Sequence, residues 1–291
     1  MPGRNLPFFS ASPERFWGAI RRRLRFEIRA ENGRILSSPR RETATNQNIP
    51  VSPRDGGRDL RISAVIPVYN EAEVIDEFSS RLASALDKID PDYEAIFVVE
   101  GTDATLEKLT ALSKENPRIR VHYSQERLGL GKAMKKGFGL IDENTEYVVT
   151  MDADLNHQPE EIQNLMAAAN NADIVVGSRN TNKGMVEELP LVKRMISATT
   201  NWTMRKIFHI PSNDVTSGFR VYTCRAVETL RDQIVAKNFE IQPELLIRAR
   251  KKGMPITDVP ITFLPRPRGT SKLSFVKSGI GYAMLIIRLG L

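Results

Sequence analysis

The chain has 291 residues, 41% of them hydrophobic, a formal net charge of +7 and a single cysteine, Cys224. That length and apolar share suffice for the core of one large or two small soluble domains. One cysteine excludes an internal disulfide and a cysteine-built zinc site and favours a reducing compartment; the scattered His122, His157 and His209 add little to a zinc centre.

The charge is concentrated at the start. Residues 1–60 carry twelve arginines and no lysine against six acids, so the remainder is close to neutral. A basic extension on a neutral body argues against a nucleic-acid enzyme and for a segment that seeks an anionic surface, so no nucleic-acid partner is expected. Phe16, Ile20, Leu24 and Ile28 recur every fourth residue, with Arg21, Arg22, Arg25 and Arg29 on other faces. That pattern suits either an amphipathic helix on a membrane surface or a helix docked on the protein's own body. Glu14, Glu27 and Glu31 count against an organelle-targeting leader, and residues 37–59 have the Pro, Gly and polar content of a linker.

From Arg61 short β-branched runs alternate with helical patterns. RISAVIPVY, YEAIFVVE, RIRVHY, EYVVTMD and DIVVGSR read as strands; segments 71–89, 103–116, 131–141 and 159–169 read as the helices between them. The alternation predicts an α/β fold, a mostly parallel sheet flanked by helices, whose ligands bind beyond the carboxyl ends of the strands. Further helices are expected at 191–208 and 241–253 and a strand at 255–263. The most apolar run, GIGYAMLII at 279–287, is shorter than the roughly 20 residues of a spanning helix and is followed by Arg288, which suggests a membrane-proximal amphipathic helix over 275–291.

The strand ends carry the chemistry. Asp152 and Asp154, one residue apart in VVTMDADLNHQPEE, repel each other unless a positive charge lies between them. They suit either a helix cap or a Mg²⁺ or Mn²⁺ site that leaves positions open to a substrate diphosphate. A calcium loop is rejected because His157 and Gln163 stand where it needs Gly and Glu, and GLGKA at 129–133 lacks the spacing of a phosphate loop. RPRGTSKL, 266–273, offers three cations, a glycine and two hydroxyls, which is a solvated basic loop or one side of a diphosphate site.

Taken together, VIPVYNE, MDADLNHQPEE, VVGSR, DVTSGFRVY, IQPELLIRA and VPITFLPRPRGTSKL, in that order, resemble the dolichol-phosphate mannose synthases, polyprenyl-phosphate glycosyltransferases of the inverting family two. The likeness runs from Arg61 to about Ser274, about three quarters of the chain. It implies a GT-A (Rossmann-like) catalytic domain at 61–274 with a basic extension before it and C-terminal interface helices. It implies that Pro67, Tyr69, Glu71, Glu100 and Asp152 hold the nucleotide, and that Asp152, Asp154 and Asn156 hold a divalent metal (Mg²⁺ or Mn²⁺). Asp154, Arg179, Arg266 and Lys272 would carry catalysis, and Arg179, with Lys193 or Arg194 and Ser197, the acceptor's phosphate.

The implied activity is inverting transfer of a hexose, mannose from GDP-mannose first, to polyprenyl (dolichyl) phosphate by a peripheral protein at the cytoplasmic face of a membrane. Two departures stand out: VVEGTDAT has a shortened loop after its acid, and Asn156 replaces the usual Gln. The first leaves UDP-glucose or another UDP-sugar as the alternative donor. A sugar nucleotidyltransferase would want a Gly-rich basic turn where PVYNE stands; an adaptor built on the Arg-rich tail is the rival of another class.

Overall fold

The computed structural model describes residues 61–179, 191–268 and 275–290. The candidate helix at 16–28, the linker at 37–59 and Lys272 lie outside the described residues.

The β-branched runs become strands where both faces are covered. In chain order the elements are β1 (Ile62–Tyr69), α1 (Ile75–Asp87), β2 (Tyr93–Glu100), α2 (Thr105–Glu115), β3 (Ile119–Ser124), α3 (Leu130–Phe138) and β4 (Tyr147–Thr150). They continue as α4 (Ile162–Ala168), β5 (Ile174–Ser178), α5 (Leu191–Phe208), β6 (Arg220–Thr223), α6 (Cys224–Arg231), α7 (Ile241–Lys251), β7 (Ile256–Pro260) and α8 (Phe275–Gly290). The sheet order is β3-β2-β1-β4-β6-β5-β7. All pairings are parallel except those of β6, which runs antiparallel to both β4 and β5.

Alternate residues of β1 feed two cores. Ile62, Ala64 and Ile66 join Phe78 and Leu82 of α1 and Ile162 and Leu165 of α4 on one face. Val65 joins Met134 and Phe138 of α3, Val227 of α6 and Leu245 of α7 on the other. Burial on both faces explains why the strands read as nearly continuous apolar runs. Phe78 meets Phe97 edge-on at 6.4 Å, and Phe78→Ala would cost about 3–5 kcal/mol through lost transfer energy and a cavity. Helix α3 lies so close to the sheet that a Cβ on Gly137 would fall 2.3 Å from Val65 Cγ1.

Two elements have no counterpart in the sequence reading, β6 and α6. The strand is four residues long and follows the turn-forming Asp214, Ser217 and Gly218. Its pleat is fixed by partners on both sides rather than by its own pattern. Thr223 ends it and caps α6, its hydroxyl accepting the Ala226 N–H.

Candidate active site

Strand β4 ends at Thr150, and no helix starts at Asp154: the next turn begins at Pro159, after Gln158. The capping alternative therefore does not apply. The chain reverses instead through Leu155, whose φ of 61° is costly for a leucine and persists because its side chain is buried in the first core. Asp154 Oδ1 accepts the Asn156 N–H at 3.0 Å, closing the turn.

Asp154 Oδ2 lies 2.5 Å from Arg266 Nη2, and Arg266 Nη1 lies 3.3 Å from Glu71 Oε1. Residues more than a hundred positions apart thus meet at the tips of β1 and β4, where the sheet topology leaves a crevice. Asp152 stands alongside. Desolvation, with the charge of Asp154 next, pushes its carboxyl up to about 7 against the opposing pull of Arg266 and Arg179. The arginines and the neighbouring acids act on Asp152 in opposite senses, so this donor set holds charges of both signs.

That set fits a hard divalent ion only in part supplied by protein. Among the described residues no group of three or more His, Cys, Asp or Glu side chains could hold a metal. Asp152 and Asp154 with the Asn156 amide oxygen make the kind of partial oxygen shell that Mg²⁺ or Mn²⁺ completes with water and phosphate oxygens. Asn156 Nδ2 donates to the Leu264 carbonyl at 2.8 Å, which fixes the amide and ties the acidic loop to the loop carrying Arg266. Gly218 packs closely beside it, since an added Cβ would lie 3.1 Å from Gln242 Nε2 and 3.5 Å from both Asp152 oxygens.

The structure gives Arg179 a partner that the sequence did not assign to it. Its Nε and Nη2 fork grips Asp214 at 2.7 and 2.9 Å, Nη2 also reaches Thr216 Oγ1, and the guanidinium lies over the Phe263 ring. Burial alone would raise the Asp214 carboxyl, but the charge and hydrogen bonds of Arg179 outweigh it and bring it to about 2. Asp214 is thereby the anchor of Arg179, and only the remaining edge of that cation faces the site.

Glu100 has a structural task. It is 4% exposed, and its Oε2 accepts the Leu128 and Gly129 N–H groups at 2.7 and 3.2 Å, which fastens the loop before α3. That loop is no phosphate cradle: Gly131 N donates to Lys237 O, and a Cβ there would fall 2.2 Å from Ala236 O. Lys132 points to solvent.

The tips of β1 and β2 are laced together by groups the sequence reading passed over. Asn70 Oδ1 accepts the Thr102 N–H, Asp103 Oδ2 accepts the Ala72 N–H, and Thr105 Oγ1 accepts the Glu71 N–H. Tyr69 has the Arg127 guanidinium over its ring at 4.3 Å, and Pro67 is half-buried two residues earlier. Lys193, Arg194 and Ser197 fall on the opening turns of α5, their side chains outside the described residues.

His157 was also missed. It is 2% exposed, packed between the rings of Phe219 and Phe263, with Nδ1 4.0 Å from Asp152 Oδ2. The only signal for it was its place three residues after Asp154.

Residues 63–231 match the family described as Glycosyl transferase family 2. The chain is 32% identical over 220 residues to an undecaprenyl-phosphate mannosyltransferase of Micrococcus luteus, spanning 74% of this chain and 88% of that one. It is 32% identical over 219 residues to a polyprenol monophosphomannose synthase of Mycolicibacterium smegmatis, spanning 74% and 81%. It is 36% identical over 220 residues to a dolichol-phosphate mannosyltransferase of Pyrococcus furiosus, spanning 74% of this chain and 59% of that longer protein. Glucosyl-3-phosphoglycerate synthase from Mycobacterium tuberculosis, crystallised with Mn²⁺, uridine diphosphate and glucosyl-3-phosphoglycerate, superposes with a TM-score of 0.59 at 19% identity, covering 80% of this chain and 81% of that one. That likeness carries the fold alone, the mostly parallel GT-A sheet. With the family pattern over more than half of the chain and such relatives beside it, the chain belongs to glycosyl transferase family 2 and is a glycosyltransferase.

Proposed function

We propose that the protein transfers mannose from GDP-mannose to the phosphate of a polyprenyl (dolichyl) phosphate, inverting the anomeric carbon, with Mg²⁺ or Mn²⁺ bound at Asp152, Asp154 and Asn156. The observation that carries this is the meeting of Asp154, Asp152 and Arg266 at the strand tips, carboxylates and a cation where a nucleotide sugar's diphosphate and its metal would bind. The relatives named for transfer of mannose to polyprenyl phosphates support the donor sugar and the acceptor.

The bound ion would neutralise charge on the donor's diphosphate. The chain's own residues do the rest. Arg266, paired with Asp154 and Glu71, would donate to the departing diphosphate as its charge develops, and Lys272 would join it. Tyr69, backed by Arg127, offers a flat wall to the nucleoside. The acceptor phosphate, held near Lys193, Arg194 and Ser197 with the free edge of Arg179, is already an anion and attacks without a strong general base. The oxygen–carbon bond to the acceptor forms as the bond to the diphosphate breaks on the opposite face.

The protein would work as a peripheral one at the cytoplasmic membrane face. Trp202 and Ile207 of α5 and Met284 and Ile287 of α8 are exposed large apolar side chains, and among the described residues no helix is long and apolar enough to cross a membrane. Full-length protein incubated with GDP-mannose, Mn²⁺ and dolichyl phosphate should form lipid-linked mannose. Failure with every nucleotide sugar and polyprenyl phosphate would overturn the proposal. Ranking GDP against UDP by thermal shift with Mn²⁺ decides the donor base, because the ligand bound more tightly by the native state raises its melting point more.

A further inference from the structure

His157 is the largest anomaly in the site. Its ring is buried, yet among the described residues neither Nδ1 nor Nε2 has a hydrogen-bond partner. A buried polar atom without a partner costs about 1–3 kcal/mol, so such an atom calls for a reason. The imidazole cannot move to find one. Phe219 and Phe263 hold it at ring-centre distances of 5.5 and 5.3 Å, and its backbone bridges to Phe263.

Across from Nδ1 lies Asp152 Oδ2 at 4.0 Å, about 1 Å beyond hydrogen-bond reach. The carboxylate is less confined than the ring, its side chain being 39% exposed. A small rotation of Asp152 closes the gap. Carboxylates that bind metals are themselves held by a hydrogen bond from behind, and loss of that support typically lowers metal affinity 10–100-fold.

We infer that His157 is the positioning residue of Asp152: its Nδ1–H donates to the carboxylate oxygen turned away from the bound cation and fixes the other oxygen on it. A neutral imidazole has one N–H to donate and one nitrogen that accepts. The inference rests on the proposed metal site.

The test is Mn²⁺ binding to the full chain in the presence of GDP, read by electron paramagnetic resonance, with melting temperature measured on the same samples. His157→Phe fills the aromatic slot and removes both unmet nitrogens; His157→Asn keeps an N–H near the Nδ1 position but underfills the slot. The expected pattern is crossed. The Phe variant melts no lower than the wild type yet binds Mn²⁺ 10–100-fold more weakly. The Asn variant melts lower yet binds within a few-fold of the wild type. Wild-type affinity in the Phe variant overturns the inference, as does equal loss in both variants, which would make ring packing the cause. A wild-type chain that binds no Mn²⁺ with GDP or UDP overturns the metal site itself, and the two failures are thereby distinct.

Discussion

The two ends of the central strands handle carboxylates in opposite ways. Near the start of β2, Glu94 is 4% exposed and its oxygens take the Ser63 hydroxyl at 2.5 Å, the Asp142 N–H at 2.7 Å and the Arg120 guanidinium, while Thr145 closes the set through Ser63. At the other end Asp154 shares Arg266 with Glu71, and Asp152 stands nearby with its carboxyl pushed up to about 7, chiefly by desolvation. One pole is saturated by the chain's own donors. The other is where the proposed ligands would bind. Acids of the first kind hold the fold, and those of the second kind would serve the ligand.

Substitutions should separate the poles, and the Arg179–Asp214 pair beside the site tests where the boundary falls. Arg179→Met leaves Asp214 buried and unpaired, so unfolding free energy should fall by about 3–5 kcal/mol in urea titration. A fall under 1 kcal/mol would place this pair with the ligand-dependent pole. Arg266→Ala should lower kcat by about 10²–10³-fold, as loss of one transition-state donor does, with melting unchanged within a few degrees. A rate near wild type would remove Arg266 from the chemistry.

Acid should act through Asp214. Its folded pKa is depressed to about 2 from an ordinary value near 4, so its contribution is fully present above about pH 4 and is lost as pH falls toward 2. The loss, about 2 kcal/mol, should appear as a steeper acid limb in the wild type than in a variant with Arg179 and Asp214 both made apolar. The smallest effect belongs to Glu94→Gln. The amide oxygen still accepts from Ser63 and Asp142, while the amide NH₂ replaces the acceptor of the half-exposed Arg120, which swings toward solvent, so about 1–2 kcal/mol of stability should go and turnover per folded molecule should not.

The first five strands were legible because each is a β-branched run followed by a helical period. The strand-end acids were legible as candidates only, since Asp154 suited a helix cap as well as a metal. A carboxylate at a strand tip, as Glu100 shows, looks the same in sequence whether it receives a ligand or the N–H groups of Leu128 and Gly129. The Arg179–Asp214 pair joins residues 35 positions apart across two elements, one of them the unrecognised β6 approach, so neither residue announced its partner. His157 was dismissed as a stray histidine because burial between Phe219 and Phe263 is a property of the assembled loops.

Leu155 adds a consequence for heat. Its left-handed backbone at φ 61° is kept by the seat of its side chain among the β1, α1 and α4 residues of the first core, together with the hydrogen bonds that close the turn. The acidic loop is thus sprung, with the core as its catch. Warming that loosens the core by a small amount should let the loop relax before the sheet opens, so activity should fade at temperatures where the protein is still folded.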